Sequence, residues 1–169
     1  MNTGDQGIAL IKRFEGCKKR PYRCPAGLWT VGYGTVLYLD QIKLKMPERL
    51  AYPLKPEDDR EFSQDEIDAF LRKELGSVER GVARYCPSAA NNQNQFDALV
   101  SFAYNCGVGA LQRSPIRLAY NQGAVRQAAD NFDRYTRGGG KILPGLIARR
   151  LAEKALFLRE PVQNGDVVP

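Results

Sequence analysis

FEGCKKRPYRCPAGLWTVGYG, residues 14–34, is the stretch on which the reading of this chain turns. Ahead of it, Thr3 and Gln6 make a capping box and Ile8, Ile11 and Phe14 recur at helical spacing, which predicts a helix over 4–14 that Gly16 ends. Inside it the pattern changes. Pro21, Pro25 and Gly27 punctuate short runs carrying Tyr22, Leu28-Trp29-Thr30-Val31 and Tyr33, the aromatic and β-branched composition of a small antiparallel sheet. Glu15 therefore closes a helix, where unpaired carbonyls disfavour an ionised carboxylate. An apolar wall from Phe14, Leu28 and Trp29 would raise its proton affinity further, the setting of a general acid. An exposed helix-end carboxylate is the other reading of the same position.

Beyond residue 34 the chain divides into an unreadable middle and a helical remainder. Pro47, Pro53 and Pro56 forbid a long helix between 38 and 62, leaving an irregular loop or an extra hairpin. Ser63 and Glu66 form a second capping box, and Ile67, Phe70, Leu71, Leu75, Val78 and Val82 hold one face of a long helix. Phe96, Leu99, Val100 and Ala103 mark another helix, with further short ones over 116–120 and 125–132. Gly138-Gly139-Gly140 opens a mobile turn before Pro144, after which Ile147, Leu151, Ala155 and Leu158 are expected to line the inner face of a last helix. The tail over 161–169 is read as loose.

Composition excludes several chemistries. Among 169 residues there is no histidine, which removes Ser-His-Asp and Cys-His catalysis and the commonest metal ligand together. Cys17, Cys24, Cys86 and Cys106 contain no Cys-x-x-Cys pair, so neither a zinc site nor a thioredoxin-like site is expected. Cys86 reads as a small buried apolar residue. A turn between Cys17 and Cys24 would bring them within bridging distance, and a disulfide there would suppress activity reversibly; two thiols that never meet is the alternative. The net charge of +6 suits a polyanionic partner or a merely solvated surface. No apolar run approaches the roughly 20 residues of a bilayer span, and Met1 to Gln6 lack a secretory signal's features, so the expected site of synthesis and retention is the cytosol.

The segment Phe14-Glu15-Gly16-Cys17 through Trp29-Thr30-Val31-Gly32-Tyr33-Gly34 resembles the active-site signature of the phage-type lysozymes, the endolysins of glycoside hydrolase family 24. That signature has a catalytic Glu, an Asp or sometimes a Cys nine positions on, and a Thr six positions later, which selects Glu15, Cys24 and Thr30. The likeness continues in Phe96-Asp97-Ala98-Leu99-Val100-Ser101-Phe102-Ala103-Tyr104-Asn105, in Gly107-Val108-Gly109, and in Leu143-Pro144-Gly145-Leu146 followed by Arg149-Arg150 and Ala152-Glu153. It implies an α+β, mainly helical lysozyme-like fold. A small N-terminal lobe with a short antiparallel sheet (1–62) would be joined by a long helix (63–83) to a helical C-terminal lobe (84–160), with a cleft between the lobes.

The implied chemistry is hydrolysis of the β-1,4 bond between N-acetylmuramic acid and N-acetylglucosamine in peptidoglycan, without metal or cofactor. Glu15 would protonate the leaving oxygen and Thr30 would hold a water on the opposite face of the sugar. Cys24 would act as a base or nucleophile if Lys18, Lys19, Arg20 and Arg23 favour its thiolate, or as a weak orienting group. Gly34, Val36, Tyr104, Asn105 and Cys106 match cleft-lining positions, although Tyr104 also fits plain core, and Arg149 resembles a structural basic residue that reaches the cleft. The run Gly32-Tyr33-Gly34-Thr35-Val36 lacks a His often seen in the family, implying the loss of a supporting ion pair. The resemblance further implies a monomer without nucleic-acid partner or stable membrane insertion, held in the host cytoplasm until holin-dependent access to the periplasmic wall. A lytic transglycosylase is the nearest alternative. A non-catalytic polyanion-binding module is the remote one.

Overall fold

The computed structural model describes residues 1–160, so the tail expected to be loose lies outside the described residues. The chain separates into two compact units, one comprising Met1–Phe14 and the segment from Leu75 onward, the other Glu15–Glu74. The first helix, placed by sequence in the sheet lobe, thus groups with the helical unit. No helix among the described residues is long and apolar enough to cross a membrane.

In the unit 15–74, β1 (Lys18–Arg23), β2 (Trp29–Gly32) and β3 (Thr35–Val36) form an antiparallel sheet in that order. The register sets Tyr22 opposite Thr30 and Thr30 opposite Val36. Gly32 has φ +64°, and a Cβ there would stand 2.7 Å from Ile67 Cγ2, so only glycine lets β2 end against the first turn of α3 (Gln64–Tyr85). That helix starts as expected: Ser63 N–H donates to Glu66 Oε2 at 2.8 Å and Glu66 N–H to Ser63 Oγ at 3.2 Å.

The segment 38–62 is neither a bare loop nor a hairpin. It holds a 3-10 turn (Leu39–Lys43), α2 (Met46–Ala51) and another 3-10 turn (Pro56–Asp58). Elements this short lack a periodic apolar face and are fixed from outside. Arg23 supplies much of that fixation, donating to the carbonyls of Gly27 at 2.8 Å and Leu50 at 3.1 Å and to those of Arg49 and Tyr52, while its guanidinium lies 4.1 Å from the Trp29 ring centroid. Tyr38, stacked on Tyr52, donates to Asp58 Oδ2 at 2.6 Å; burial and that carboxylate push its phenol up to about 12.

The other unit is helical. α1 (Asp5–Glu15) is held at its start by a distant group: Asp97 accepts from the Gly4 N–H at 2.8 Å and the Gly7 N–H at 3.1 Å, while Thr3 donates to Glu79. This tertiary carboxylate meets the first-turn amides assigned by sequence to a local capping box. Asp97 belongs to α4 (Gln93–Cys106), whose Phe96, Leu99, Val100 and Phe102 are wholly buried. Around it stand α5 (Val108–Arg113), α6 (Pro115–Asn121) and α7 (Val125–Asp130), with α8 (Pro144–Phe157) packed against α4. The glycine run does not remain irregular. Gly139 and Gly140, with φ +57° and +78°, make the two-residue turn between β4 (Arg137–Gly138) and β5 (Lys141–Ile142).

The inner face of α8 corrects the sequence reading. Ile147, Leu151, Ala155 and Leu158 are exposed, whereas Arg149, Arg150, Glu153, Leu156 and Phe157 are buried. Glu153 accepts from Ser101 Oγ at 2.7 Å and from Arg149 Nε at 3.1 Å, and its Oε2 lies 3.1 Å from Arg150 Nε, an ion contact not aligned for a hydrogen bond. A buried ion cluster, two guanidinium groups sharing one carboxylate, presents polar residues where a hydropathy pattern seeks apolar ones.

Candidate active site

Glu15, Cys24 and Thr30 all belong to the unit 15–74. Glu15 is the last residue of α1 and is half-buried. Cys24 follows β1 directly, in the turn closed by Cys24 N–H to Leu28 O at 3.0 Å and Gly27 N–H to Cys24 O at 2.8 Å. Thr30 sits on the central strand, 2% exposed, its hydroxyl oxygen 3.1 Å from Leu28 O.

Directly paired residues of an antiparallel sheet point to one face, and so do residues two apart on a strand. Tyr22, Thr30 and Val36 therefore form a row across the three strands, and the extended pairing of Cys24 with Leu28 puts Cys24 on the same face. Three sequence-selected residues, Cys24, Thr30 and Val36, share a surface with Tyr22, which the sequence reading did not single out for function. The alternation Tyr22-Arg23-Cys24 carried that signal, but a strand register was needed to read it. The Tyr22 phenol is raised above its ordinary range by burial and then by the nearby charges of Cys24 and Glu15, so it lies in electrostatic reach of both. Lys18 Nζ rests 4.1 Å from its ring centroid.

Burial pushes the Cys24 thiol up, but hydrogen bonds outweigh that effect: the Leu28 N–H, the Thr30 hydroxyl and further backbone N–H groups bring it below the ordinary thiol value. The cause differs from the expected neighbouring cations. Arg23 is turned toward the carbonyls of 27 and 49–52, and Lys18 toward Tyr22. Trp29, expected in an apolar wall near Glu15, donates its indole N–H to Tyr52 O at 3.0 Å and stacks with Arg23.

All four cysteines are thiols. The turn imagined between Cys17 and Cys24 is instead strand β1, and at about 3.3 Å per residue their α-carbons lie roughly 20 Å apart, far beyond the ~7 Å limit for a bridge. The disulfide expectation fails on that geometry. Thr35 opens with Val36, Phe62, Phe70, Lys73 and Glu74 onto a cavity of about 440 Å³.

The remaining substrate candidates lie at the end of α4 in the helical unit: Tyr104 and Cys106 half-buried, Asn105 exposed. Arg150 reaches them, donating to Asn105 Oδ1 at 2.7 Å and to Cys106 Sγ at 3.1 Å. Arg149 donates to Ser101 O and Glu153, with its Cζ 5.9 Å from the Phe14 ring centroid. Sequence reasoning missed Arg150 because adjacent arginines on a helix differ only in facing, which packing decides.

Comparison with known proteins finds related chains. The phage lysozyme family model matches residues 12–153. An endolysin of Bacillus phage B103 is 35% identical over 169 residues, spanning 97% of this chain and 57% of that protein. An endolysin of Acyrthosiphon pisum secondary endosymbiont phage 1 is 32% identical over 161 residues, covering 93% of this chain and 98% of its own. The muramidase domain of SpmX from Asticaccaulis excentricus superposes with a TM-score of 0.74 at 31% identity, covering 94% of this chain and 99% of that one. The chain spans little more than half the length of the Bacillus-phage endolysins it matches, 57% and 55%.

Proposed function

The chain belongs to the phage lysozyme family, and from that membership and the geometry of its sheet we propose that it is an endolysin-type muramidase hydrolysing the β-1,4 bond between N-acetylmuramic acid and N-acetylglucosamine in peptidoglycan. The observation that carries the reading is the row Tyr22–Thr30–Val36 with Cys24 on the same sheet face, next in the chain to the helix that Glu15 ends.

In this mechanism Glu15 gives its proton to the departing glycosidic oxygen as the sugar takes on oxocarbenium character. Thr30, anchored on the central strand, orients a water at the opposite face. Cys24, its thiol lowered by Leu28 and Thr30, offers partial thiolate to the developing positive charge or accepts the water's proton. Gly34, Val36, Tyr104, Asn105 and Cys106 contact the polymer. The protein acts as a monomer on the cell wall, reaching it from the host cytoplasm through a holin-type opening, and needs neither metal nor cofactor.

The test is clearing of permeabilised Gram-negative cells by the intact chain beside Glu15→Gln, with mass analysis of the released muropeptides. Loss of the general acid is expected to cost about 10²- to 10⁴-fold in rate, with reducing muramic ends among the products. Anhydromuramyl ends would make the enzyme a lytic transglycosylase. Full clearing by Glu15→Gln would remove Glu15 from the chemistry.

A further inference from the structure

The carboxamide of Asn105 is held in one orientation by chemistry. A guanidinium carries only donors, so the atom facing Arg150 Nη2 at 2.7 Å has to be the Asn105 carbonyl oxygen, and the NH2 group has to point the other way. Cys106 Sγ is placed to donate to that same oxygen at 3.7 Å. Arg150 cannot swing to accommodate a different amide rotamer. It is 0% exposed, with Nε 3.1 Å from Glu153 Oε2, Nη2 3.4 Å from Glu153 Oε1, and its Cζ 5.1 Å from the Phe102 ring centroid. Asn105, by contrast, is exposed.

Beside it lies a cavity of about 370 Å³ lined by Asn105, Cys106, Ala110, Tyr135, Arg137 and Leu146. No carboxylate lines this cavity. Its side-chain nitrogens are donors, the Asn105 amide and the Arg137 guanidinium, set among the apolar groups of Ala110 and Leu146. Such a lining suits an oxygen acceptor flanked by a small apolar group and disfavours an ammonium or another donor.

We infer that Arg150 is a positioning residue that fixes Asn105 with its NH2 outward, making Asn105 a binding donor for an oxygen acceptor of the wall polymer, either an acetamido carbonyl of the glycan or a carboxylate of the stem peptide. This inference rests on the muramidase reading for its ligand, while the geometry that carries it lies within the helical unit. Arg150 acts through Asn105 and touches no substrate.

The decisive variant is Asn105→Asp. A carboxylate at 105 keeps and strengthens the contact with Arg150, so a purely structural role for Asn105 predicts an intact fold and unchanged binding. Loss of the outward donor predicts the same melting temperature or a higher one together with weaker binding, by about 3- to 10-fold for one hydrogen bond. Affinity is read by co-sedimentation with purified walls in a Glu15→Gln background, and KM in the active chain on soluble uncross-linked strands, intact or stripped of peptides. A KM rise on both polymers identifies the acetamido oxygen; a rise confined to intact strands identifies the stem carboxylate. Arg150→Lys, which keeps the charge but loses the planar fork, is expected to reproduce the KM rise with a smaller effect on kcat. Wild-type affinity and KM for Asn105→Asp on both polymers would overturn the inference, while leaving the muramidase reading intact. Wild-type turnover by Glu15→Gln would instead undo that reading, with the sedimentation result still deciding on Asn105.

Discussion

Replacing Glu153 by Gln tests the energetics on which the helical unit rests. The side chain is 0% exposed, as is that of Arg150, and Arg149 is 3% exposed. Two guanidinium nitrogens approach its oxygens at 3.1 Å each. At an effective dielectric constant of about 20, each such approach corresponds to roughly 5 kcal/mol of attraction before desolvation is subtracted. The wild-type cluster gains little net stability from these attractions, because burying the charges offsets most of them. Removing one partner is different: it strands two arginines without a counter-charge, at a cost of about 3–5 kcal/mol. Gln preserves the volume and the acceptor for Ser101 Oγ, so neither a cavity nor the loss of that bond confounds the result. For a chain of this size each kcal/mol shifts Tm by about 2–4 °C, so the expected fall is roughly 6–20 °C. Urea unfolding followed by far-ultraviolet dichroism reads the same loss as a lower midpoint at constant slope. A loss below about 1 kcal/mol would show that solvent or another anion compensates the arginines, and the picture of Glu153 as their shared counter-charge would be wrong.

Three further outcomes follow from other contacts. Thr30→Val in a Cys17→Ser background is expected to raise the pH at which Cys24 becomes alkylated, because one of the bonds that lowers the thiol is lost; peptide mapping that shows an unchanged profile would remove Thr30 from the thiol's environment. Gly32→Ala should cost about 1–3 kcal/mol, since it combines a φ of +64° with a 2.7 Å approach to Ile67, and an unaltered melt would show that α3 can yield there. Asp97 titrates above its ordinary value because burial outweighs its bonds from Gly4, Gln93 and Gly7. A raised folded value means that the fold binds the proton first. This stabilisation is full below the unfolded value of about 3.9 and is lost as pH rises through the folded one. Stability relative to Asp97→Asn should therefore increase from neutral pH toward about 4, and a pH-independent difference would contradict the assignment.

Legibility in the sequence followed the range of the forces involved. The end of α1 at Glu15, the presence of a small antiparallel sheet and the start of α3 were readable because Gly16, the proline and glycine punctuation and the Ser63/Glu66 pair act within a few residues, although Tyr33, read as part of the last strand, lies in the turn before β3. The segment 39–58 was not, because Arg23 holds it through carbonyls as far along the chain as Tyr52. The first turn of α1 was assigned to a local cap, whereas its amides bind a carboxylate 93 residues from Gly4. On α8 the apolar rule selected the wrong face, since two arginines paired to one glutamate occupy the interior and leave Ile147 and Leu151 at the surface. At the candidate site, helix-end position drew attention to Glu15, and resemblance to the phage-lysozyme signature selected Cys24 and Thr30 with it. Sheet register was required to add Tyr22, and helix facing to identify Arg150 as the partner of Asn105.

The indole of Trp29 gives this protein a built-in optical reporter. It is the single tryptophan of the chain, pinned between Arg23 and the Tyr52 carbonyl on the strand that carries Thr30. Its emission follows the surroundings of the sheet, whereas far-ultraviolet dichroism is dominated by the helices. Heating curves recorded by the two signals would coincide for all-or-none melting and separate if the clamp around the indole loosens first.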